Sequence, residues 1–206
     1  VKQGYMLKRE AYLKKIPFSD FSAFGQLLRS VPDNYMLQLA NSSTIRYTQL
    51  FDLNPSLKVF CNRGTSGIDG STSTAVGASW AYCSPTLLVT GDLSFFYDSN
   101  ALWNNYIKNN FRIIVINNGG GGIFRILPGK DDSSVFETYF ETRHSLSAEH
   151  LCNMFGFNYR TAKSSIELEE ELKDFYKETV RPMLLEITTP TLINDKILID
   201  YFRFIS

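Results

Sequence analysis

Apolar runs alternate with segments of helical period along most of the chain, the pattern that βα units around a mostly parallel sheet leave in a sequence. Phe21, Phe24, Leu27 and Leu28 fall on one helical face, and Pro32-Asp33-Asn34 ends that helix. Residues 35–39 read as a short buried strand, and Asn41 or Ser42 caps a helix running to about Leu50. A strand over 58–60 precedes a glycine-rich turn and a helix over 71–82. Pro85 introduces a strand over 86–90 that ends at Gly91-Asp92, and a further helix is expected over 97–108. The continuous Ile113-Ile114-Val115-Ile116 run suits a strand covered on both faces, with bounds near 111–116. Residues 117–143 look irregular, and a loop of that length in a compact domain is usually functional or mobile. Helices follow over 147–155 and 165–177, the second with a capping box at Ser164 and Glu167, and 183–187 is the last clear strand. The pattern predicts one three-layer α/β/α domain over residues 1–206, with a mostly parallel sheet of about six strands.

Composition narrows the class of partner. In 206 residues, 21 basic side chains balance 21 acidic ones, so no overall field draws the chain to nucleic acid or to a membrane surface. No apolar run reaches transmembrane length, and no signal peptide opens the chain. Cys61, Cys83 and Cys152 are odd in number, far apart and without a CxxC pair, which speaks against a disulfide framework and against a zinc site. A cytoplasmic protein with reduced thiols is expected. The start Val1-Lys2-Gln3, without an initiator methionine, predicts a piece of a longer protein.

In open parallel sheets, ligands bind beyond the carboxyl ends of the strands. Three polar or glycine-rich segments occupy such ends here: 41–46, 62–70, and Gly91-Asp92 together with 117–122. Asp92 and Asn118 each lie just past a buried strand. A carboxylate, an amide oxygen and a loop carbonyl are the hard ligands Mg²⁺ takes, with further positions left to phosphate oxygens. Glycines at 119–122 let backbone come close to a phosphate, and the amides after Asp92 open a helix suited to an anion. Spacing alone leaves a second reading equally open, in which Asp92 caps a helix and Asn117-Asn118 makes a turn.

Gly91-Asp92-Leu93-Ser94, a connecting helix and strand, then Asn117-Asn118 resembles the GDG…NN signature of the thiamine-diphosphate enzymes. The interval is short for that family, and Leu93 replaces the usual second glycine. Asn62-Arg63-Gly64-Thr65-Ser66-Gly67-Ile68-Asp69-Gly70 and Gly91-Asp92-Leu93-Ser94-Phe95-Phe96-Tyr97-Asp98 are similar to the menaquinone-biosynthetic synthases within it. Asn41-Ser42 with Arg46, and Ile123-Phe124, fit the same subfamily. The likeness runs from about Gln38 to Pro190 and would cover the C-terminal third of a full enzyme.

The resemblance implies thiamine diphosphate with Mg²⁺ (or Mn²⁺) as cofactors. It makes the side chains of Asp92 and Asn118 and the carbonyl of Gly120 metal ligands. Leu93, Ser94, Gly121 and Ile123 would join them around the cofactor, with Ile68 as the bulky wedge that bends it. A branched side chain suits that task because it is stiff and wide. Arg46 and Arg63 would receive substrate carboxylates, which a guanidinium fork binds bidentately. Asn41 and Ser42 would add neutral hydrogen bonds, and Phe124 and Leu127 an apolar wall. Without the family, Ile68 reads as an ordinary core residue and each arginine as a solvated surface residue or an ion-pair partner. The implied reaction joins a decarboxylated 2-oxoglutarate unit to isochorismate. The glutamate that activates the cofactor in this family belongs to an N-terminal domain, supplied by a neighbouring subunit of a homodimer or homotetramer. No catalytic residue is therefore expected in this chain, and alone it is expected to be inactive. Another thiamine-diphosphate lyase or synthase, or a non-catalytic scaffold of this fold, stays open beside that reading.

Other constellations are weaker. Gly64-Thr65-Ser66-Gly67 is no nucleophile elbow, Gly119–Gly122 lacks dinucleotide spacing, and no Walker sequence occurs. His144 and His150 are too isolated for a metal cluster, and Asp98 and Glu149 read as helix charges.

Overall fold

The computed structural model describes residues 2–126 and 133–206. In chain order the described elements are α1 (Lys2–Leu13), α2 (Asp20–Ser30), β1 (Met36–Leu39), α3 (Ser43–Thr48), β2 (Lys58–Cys61), α4 (Ser71–Ala81) and β3 (Thr86–Gly91). There follow α5 (Asp92–Tyr97), β4 (Phe111–Asn117), α6 (Glu149–Phe155), β5 (Asn158–Ala162), α7 (Ser165–Phe175), β6 (Met183–Thr188) and α8 (Asn194–Ile205). Short 3-10 turns at Ser99–Leu102 and Gly122–Arg125 and a π-helical turn at Phe136–Glu141 complete the list.

The strands form one sheet in the order β2-β1-β3-β4-β6-β5, every pair parallel. Because successive side chains of a strand point to opposite faces, alternation sorts the apolar residues into two cores. Leu37, Leu87, Ile114 and Leu185 face α2, α7 and α8, while Leu88, Ile113, Val115 and Leu184 face α4, α5 and α6. Three layers result. The central β4 is buried at every residue: the apolar run 113–116 packs on both faces, and Arg112 is buried by donating to the carbonyls of Phe175, Asn109 and Lys177.

Helix ends follow local chemistry. The Ser19 side chain accepts from Ser22 N, and the Ser22 hydroxyl accepts from Ser19 N, so a reciprocal box opens α2. At α7 the expected box is half-formed: Ser164 accepts from Glu167 N, but the Glu167 carboxylate reaches the Lys163 N–H one residue outside. Among the described residues no helix is long and apolar enough to cross a membrane.

Three expectations are corrected. The helix expected over 97–108 is replaced by α5, which starts directly at the strand end, and a 3-10 turn. Asp98 stands at the break, and its carboxylate accepts the N–H and hydroxyl of Ser73 at 2.7 and 2.6 Å. It thereby caps the start of α4 and is buried, not a solvated helix charge. The second correction is β5, an edge strand whose polar Asn-Tyr-Arg-Thr sequence gave no strand signal and whose pairing comes from β6. Third, neither candidate cap of α3 acts as one: Ser42 holds the position at φ 66° without a side-chain bond, and Asn41 bonds elsewhere.

Candidate cofactor-binding site

The chain leaves β1 toward β2 and returns to place β3 on the other side of β1. The loops after β1 and β3 therefore diverge, which opens a crevice at the strand ends. A cavity of about 280 Å³ lies there, and Asn41, Ser42, Ile68, Asp92, Asn118 and Gly120 are among its lining. Segments distant in sequence meet because β1, β3 and β4 are adjacent, parallel and end on the same edge of the sheet.

Asp92 is buried at the first position of α5. Its Oδ2 accepts the N–H groups of Gly119 and Gly120 at 2.9 and 3.0 Å, so the carboxylate ties the glycine loop to the end of β3. Among the described residues its Oδ1 accepts only from Leu93 N, at 2.7 Å, which leaves acceptor capacity on that oxygen. Gly120 sits at φ +150°, where an added Cβ would lie 2.6 Å from the Glu141 carbonyl oxygen, so only glycine fits. Its own carbonyl accepts from Gly122 N at 3.0 Å.

The two asparagines after β4 are each held by a buried carboxylate. Asn118 Nδ2 donates to Asp20 Oδ2 at 2.8 Å, and Asn117 Nδ2 donates to Glu186 Oε1 at 2.7 Å. Among the described residues nothing donates to Asn118 Oδ1, the end of that amide turned from Asp20. Asp20 also accepts from Thr189 Oγ1. Burial pushes its carboxyl up to about 6, opposed by the bonds from Thr189 and Asn118 and reinforced by the charge of Asp92. Glu186 gathers the Ser147 and Tyr159 hydroxyls at 2.8 and 2.6 Å and the Ala148 N–H at 3.1 Å.

Ile68 is 36 % exposed and lines the cavity, so it is no ordinary core isoleucine. Its carbonyl accepts the Ser94 hydroxyl at 2.6 Å, which fixes the 62–70 loop to α5. Asn41 straps the other side of that loop, with Nδ2 donating to the carbonyls of Asn62 and Gly67, both at 2.6 Å. Gly121, Leu93, Ile123 and Phe124 also line the cavity. Leu127 lies outside the described residues. Arg46 and Arg63 are exposed and stand outside the lining. Each touches a residue that does line it: Arg46 donates to the Ser42 carbonyl at 3.0 Å and Arg63 to Asn41 Oδ1 at 3.5 Å.

Sequence reasoning missed several residues here. Asp20 and Glu186 carry no motif, although a lone glutamate inside the apolar run of β6 was a usable signal. Glu141, buried between Arg125 and Arg143, anchors the glycine loop through its carbonyl, which accepts from Gly121 N at 2.6 Å. His144 Nδ1 accepts from Leu146 N, so Nε2 carries the proton. That nitrogen lies 3.2 Å from Asp92 Oδ2 but off hydrogen-bond alignment, and has no other partner among the described residues.

Among the described residues no three His, Cys, Asp or Glu side chains converge on a metal position. The available donor set is one carboxylate, one amide oxygen and loop carbonyls, all hard oxygens of the kind Mg²⁺ or Ca²⁺ prefers. The residues present therefore fit a hard divalent cation that shares its shell with phosphate oxygens.

Comparison with known proteins bears on the same region. Residues 41–187 match the model of the thiamine pyrophosphate enzyme, C-terminal TPP binding domain. The chain is 57 % identical over 197 residues to the 2-succinyl-5-enolpyruvyl-6-hydroxy-3-cyclohexene-1-carboxylate synthase of Christiangramia forsetii, covering 96 % of this chain and 34 % of the relative. Proteins of the same name match from Flavobacterium johnsoniae, at 56 % identity over 96 % of this chain and 36 % of the relative, and from Porphyromonas gingivalis, at 43 % over 100 % and 36 %. The chain thus spans about a third of the length of the curated relatives it matches. An X-ray structure assigned to a thiamin diphosphate-dependent enzyme from Mycobacterium smegmatis shares the fold, with a TM-score of 0.64 at 21 % identity over 85 % of this chain and 33 % of that one. The matched region contains β3, β4 and the loops that frame the cavity, and the chain belongs to the thiamine pyrophosphate enzymes, in the family of their C-terminal TPP-binding domain.

Proposed function

We propose that residues 1–206 form a single C-terminal domain that holds thiamine diphosphate through Mg²⁺ in a longer synthase. That synthase decarboxylates 2-oxoglutarate and adds the resulting succinyl unit to isochorismate in menaquinone biosynthesis. The observation that carries this reading is the meeting of Asp92, Asn118, Gly120 and Ile68 on one cavity at the end of β1, β3 and β4. The names of the similar proteins support the product; the likeness of the 62–70 and 91–98 segments supports the substrates.

When bound, the cofactor supplies the nucleophile and the electron sink for decarboxylating a 2-oxo acid. The chain supplies position and charge compensation. Asp92 Oδ1, Asn118 Oδ1 and the Gly120 carbonyl are the proposed ligands of Mg²⁺, or of Mn²⁺ in its place. Ile68 presents an apolar wedge whose backbone is fixed by Ser94 from one side and, through Gly67, by Asn41 from the other. Ile123 and Phe124 add apolar lining to the same cavity. Arg46 and Arg63, at the rim, receive substrate carboxylates after the bond to Ser42 or Asn41 is exchanged. The glutamate that activates the cofactor is assigned to an N-terminal domain of a neighbouring subunit in a cytoplasmic homodimer or homotetramer. The chain alone is accordingly inactive in this reading.

The test is an assay of the full-length protein against a panel of 2-oxo acids with isochorismate as acceptor. Selective consumption of 2-oxoglutarate with formation of the cyclohexene carboxylate product is expected. A strong preference for pyruvate, or turnover by residues 1–206 alone, would contradict the proposal.

A further inference from the structure

An asparagine amide has two ends of nearly equal shape, and only the oxygen binds a cation. Were Asn118 turned over, its NH₂ group would face the ion and repel it. Asp20 removes the choice. An ionised carboxylate accepts and never donates, so it takes the nitrogen end at 2.8 Å and leaves the oxygen for the cavity. We propose that Asp20 is a positioning residue that sets the amide of Asn118 for cation binding, a role that rests on the assignment of Asn118 as a ligand.

Three elements hold Asp20 in place. It is the first residue of α2, behind the Ser19–Ser22 box. Thr189, just after β6, donates its hydroxyl to Oδ1. Asn194, which opens α8, accepts the Asp20 N–H at 2.9 Å and is itself tied to the Pro190 carbonyl at 2.7 Å. The acceptor presented to Asn118 is therefore rigid, as outer-shell partners of a metal ligand need to be.

The choice of a carboxylate argues against a purely structural role. Asp20 is 2 % exposed, and among the described residues its two oxygens accept only from the neutral donors Thr189 and Asn118. Burying a carboxyl group beside neutral donors alone does not favour the fold. A neutral amide would fill the same space but could itself turn over, and would then fix nothing. Serving as an acceptor that cannot invert is what the charge adds.

The experiment uses the full-length protein with thiamine diphosphate present, and reads Mn²⁺ affinity from the loss of the free-ion electron paramagnetic resonance signal. Asp20→Asn is expected to weaken Mn²⁺ binding by about 10- to 100-fold, the range for loss of an outer-shell partner. Its thermal unfolding midpoint without metal is expected not to fall, since a buried charge has been removed. Asn118→Asp sets two carboxylates together and is expected to bind poorly. The swap Asp20→Asn with Asn118→Asp reverses donor and acceptor and returns an oxygen to the ion. It is expected to bind Mn²⁺ at least about tenfold more tightly than either single variant, a coupling only interacting residues show. Unchanged affinity in Asp20→Asn, or a double variant no tighter than Asn118→Asp, would overturn the positioning role. Failure of the unmodified protein to bind Mn²⁺ with thiamine diphosphate would instead overturn the cofactor-site reading beneath it.

Discussion

Asn117 Nδ2 lies 2.7 Å from Glu186 Oε1, and through that contact the middle of β6 fixes the residue before a proposed cation ligand. Glu186 is the only acceptor among the described residues for the Asn117 NH₂ other than the Leu146 carbonyl, and it also receives Ser147, Ala148 and Tyr159. Asn117 Oδ1 in turn accepts from Gly119 N at 3.1 Å, so the network ends in the glycine loop. Glu186→Ala leaves several buried donors unmet and should destabilise the domain by on the order of 3 kcal/mol. Glu186→Gln should lose less. Urea unfolding followed by circular dichroism checks both, and an unchanged midpoint for Glu186→Ala would remove the network from the account.

Gly120→Ala places a Cβ against the Glu141 carbonyl at a backbone angle that L residues rarely adopt. The bond from Gly121 N to Glu141 O, which closes the loop over the cavity, should open. Hydrogen exchange at Gly121 is expected to accelerate, with a loss of stability above about 1 kcal/mol. Exchange at the rate of the unmodified protein would show that the loop accommodates the methyl group.

The cluster around Glu186 also predicts an alkaline limb. Burial, with Glu186 next, pushes the Tyr159 hydroxyl from 10.0 up to about 12, and burial with Glu186 and Glu149 pushes the Cys152 thiol from 9.0 up to about 12. Folded-state values above the unfolded ones mean that stability from these groups is complete below about pH 9 and is lost as pH rises toward 12. Unfolding midpoints should therefore fall above pH 9. Tyr159→Phe should start about 1 kcal/mol lower at pH 8, having lost one hydrogen bond, and then fall less steeply. Parallel pH profiles for the two proteins would contradict the assignment. At pH 8 a thiol reagent should modify exposed Cys83 and leave buried Cys152 untouched until unfolding.

Ile68→Ala removes the wedge and keeps the backbone bond from Ser94 to residue 68. In the full-length protein, turnover should fall by about 100-fold, the scale of a misplaced reacting group, with little change in thermal stability because Ile68 is 36 % exposed. Equal turnover with a destabilised fold would return Ile68 to the role of a packing residue.

Much of this was legible in the sequence where one segment carries the signal by itself. The Ile run of β4 reads as a central strand because burial on both faces favours a continuous apolar run. Asp92 and Asn118 stand out as polar residues just past apolar strands, although spacing alone leaves a helix cap and a turn equally open for them. The rest depends on partners far along the chain. Asp20 looks like any acid at a helix start, and only the neighbouring positions of α2 and β4 turn it toward Asn118, 98 residues away. Asp98 reads as a helix charge until Ser73 draws it onto α4. Likewise β5 is a strand because β6 offers an edge, not because Asn-Tyr-Arg-Thr prefers one.

Calorimetric titration of thiamine diphosphate into the full-length protein, with Mg²⁺ and then with the metal chelated, tests most directly whether Asp92 and Asn118 hold the diphosphate through a cation. Saturable binding that requires Mg²⁺, weakened at least about 100-fold in Asp92→Ala and in Asn118→Ala with each variant still folded, is the predicted result. Binding of equal affinity in the two variants, or undiminished once Mg²⁺ is removed, would contradict it.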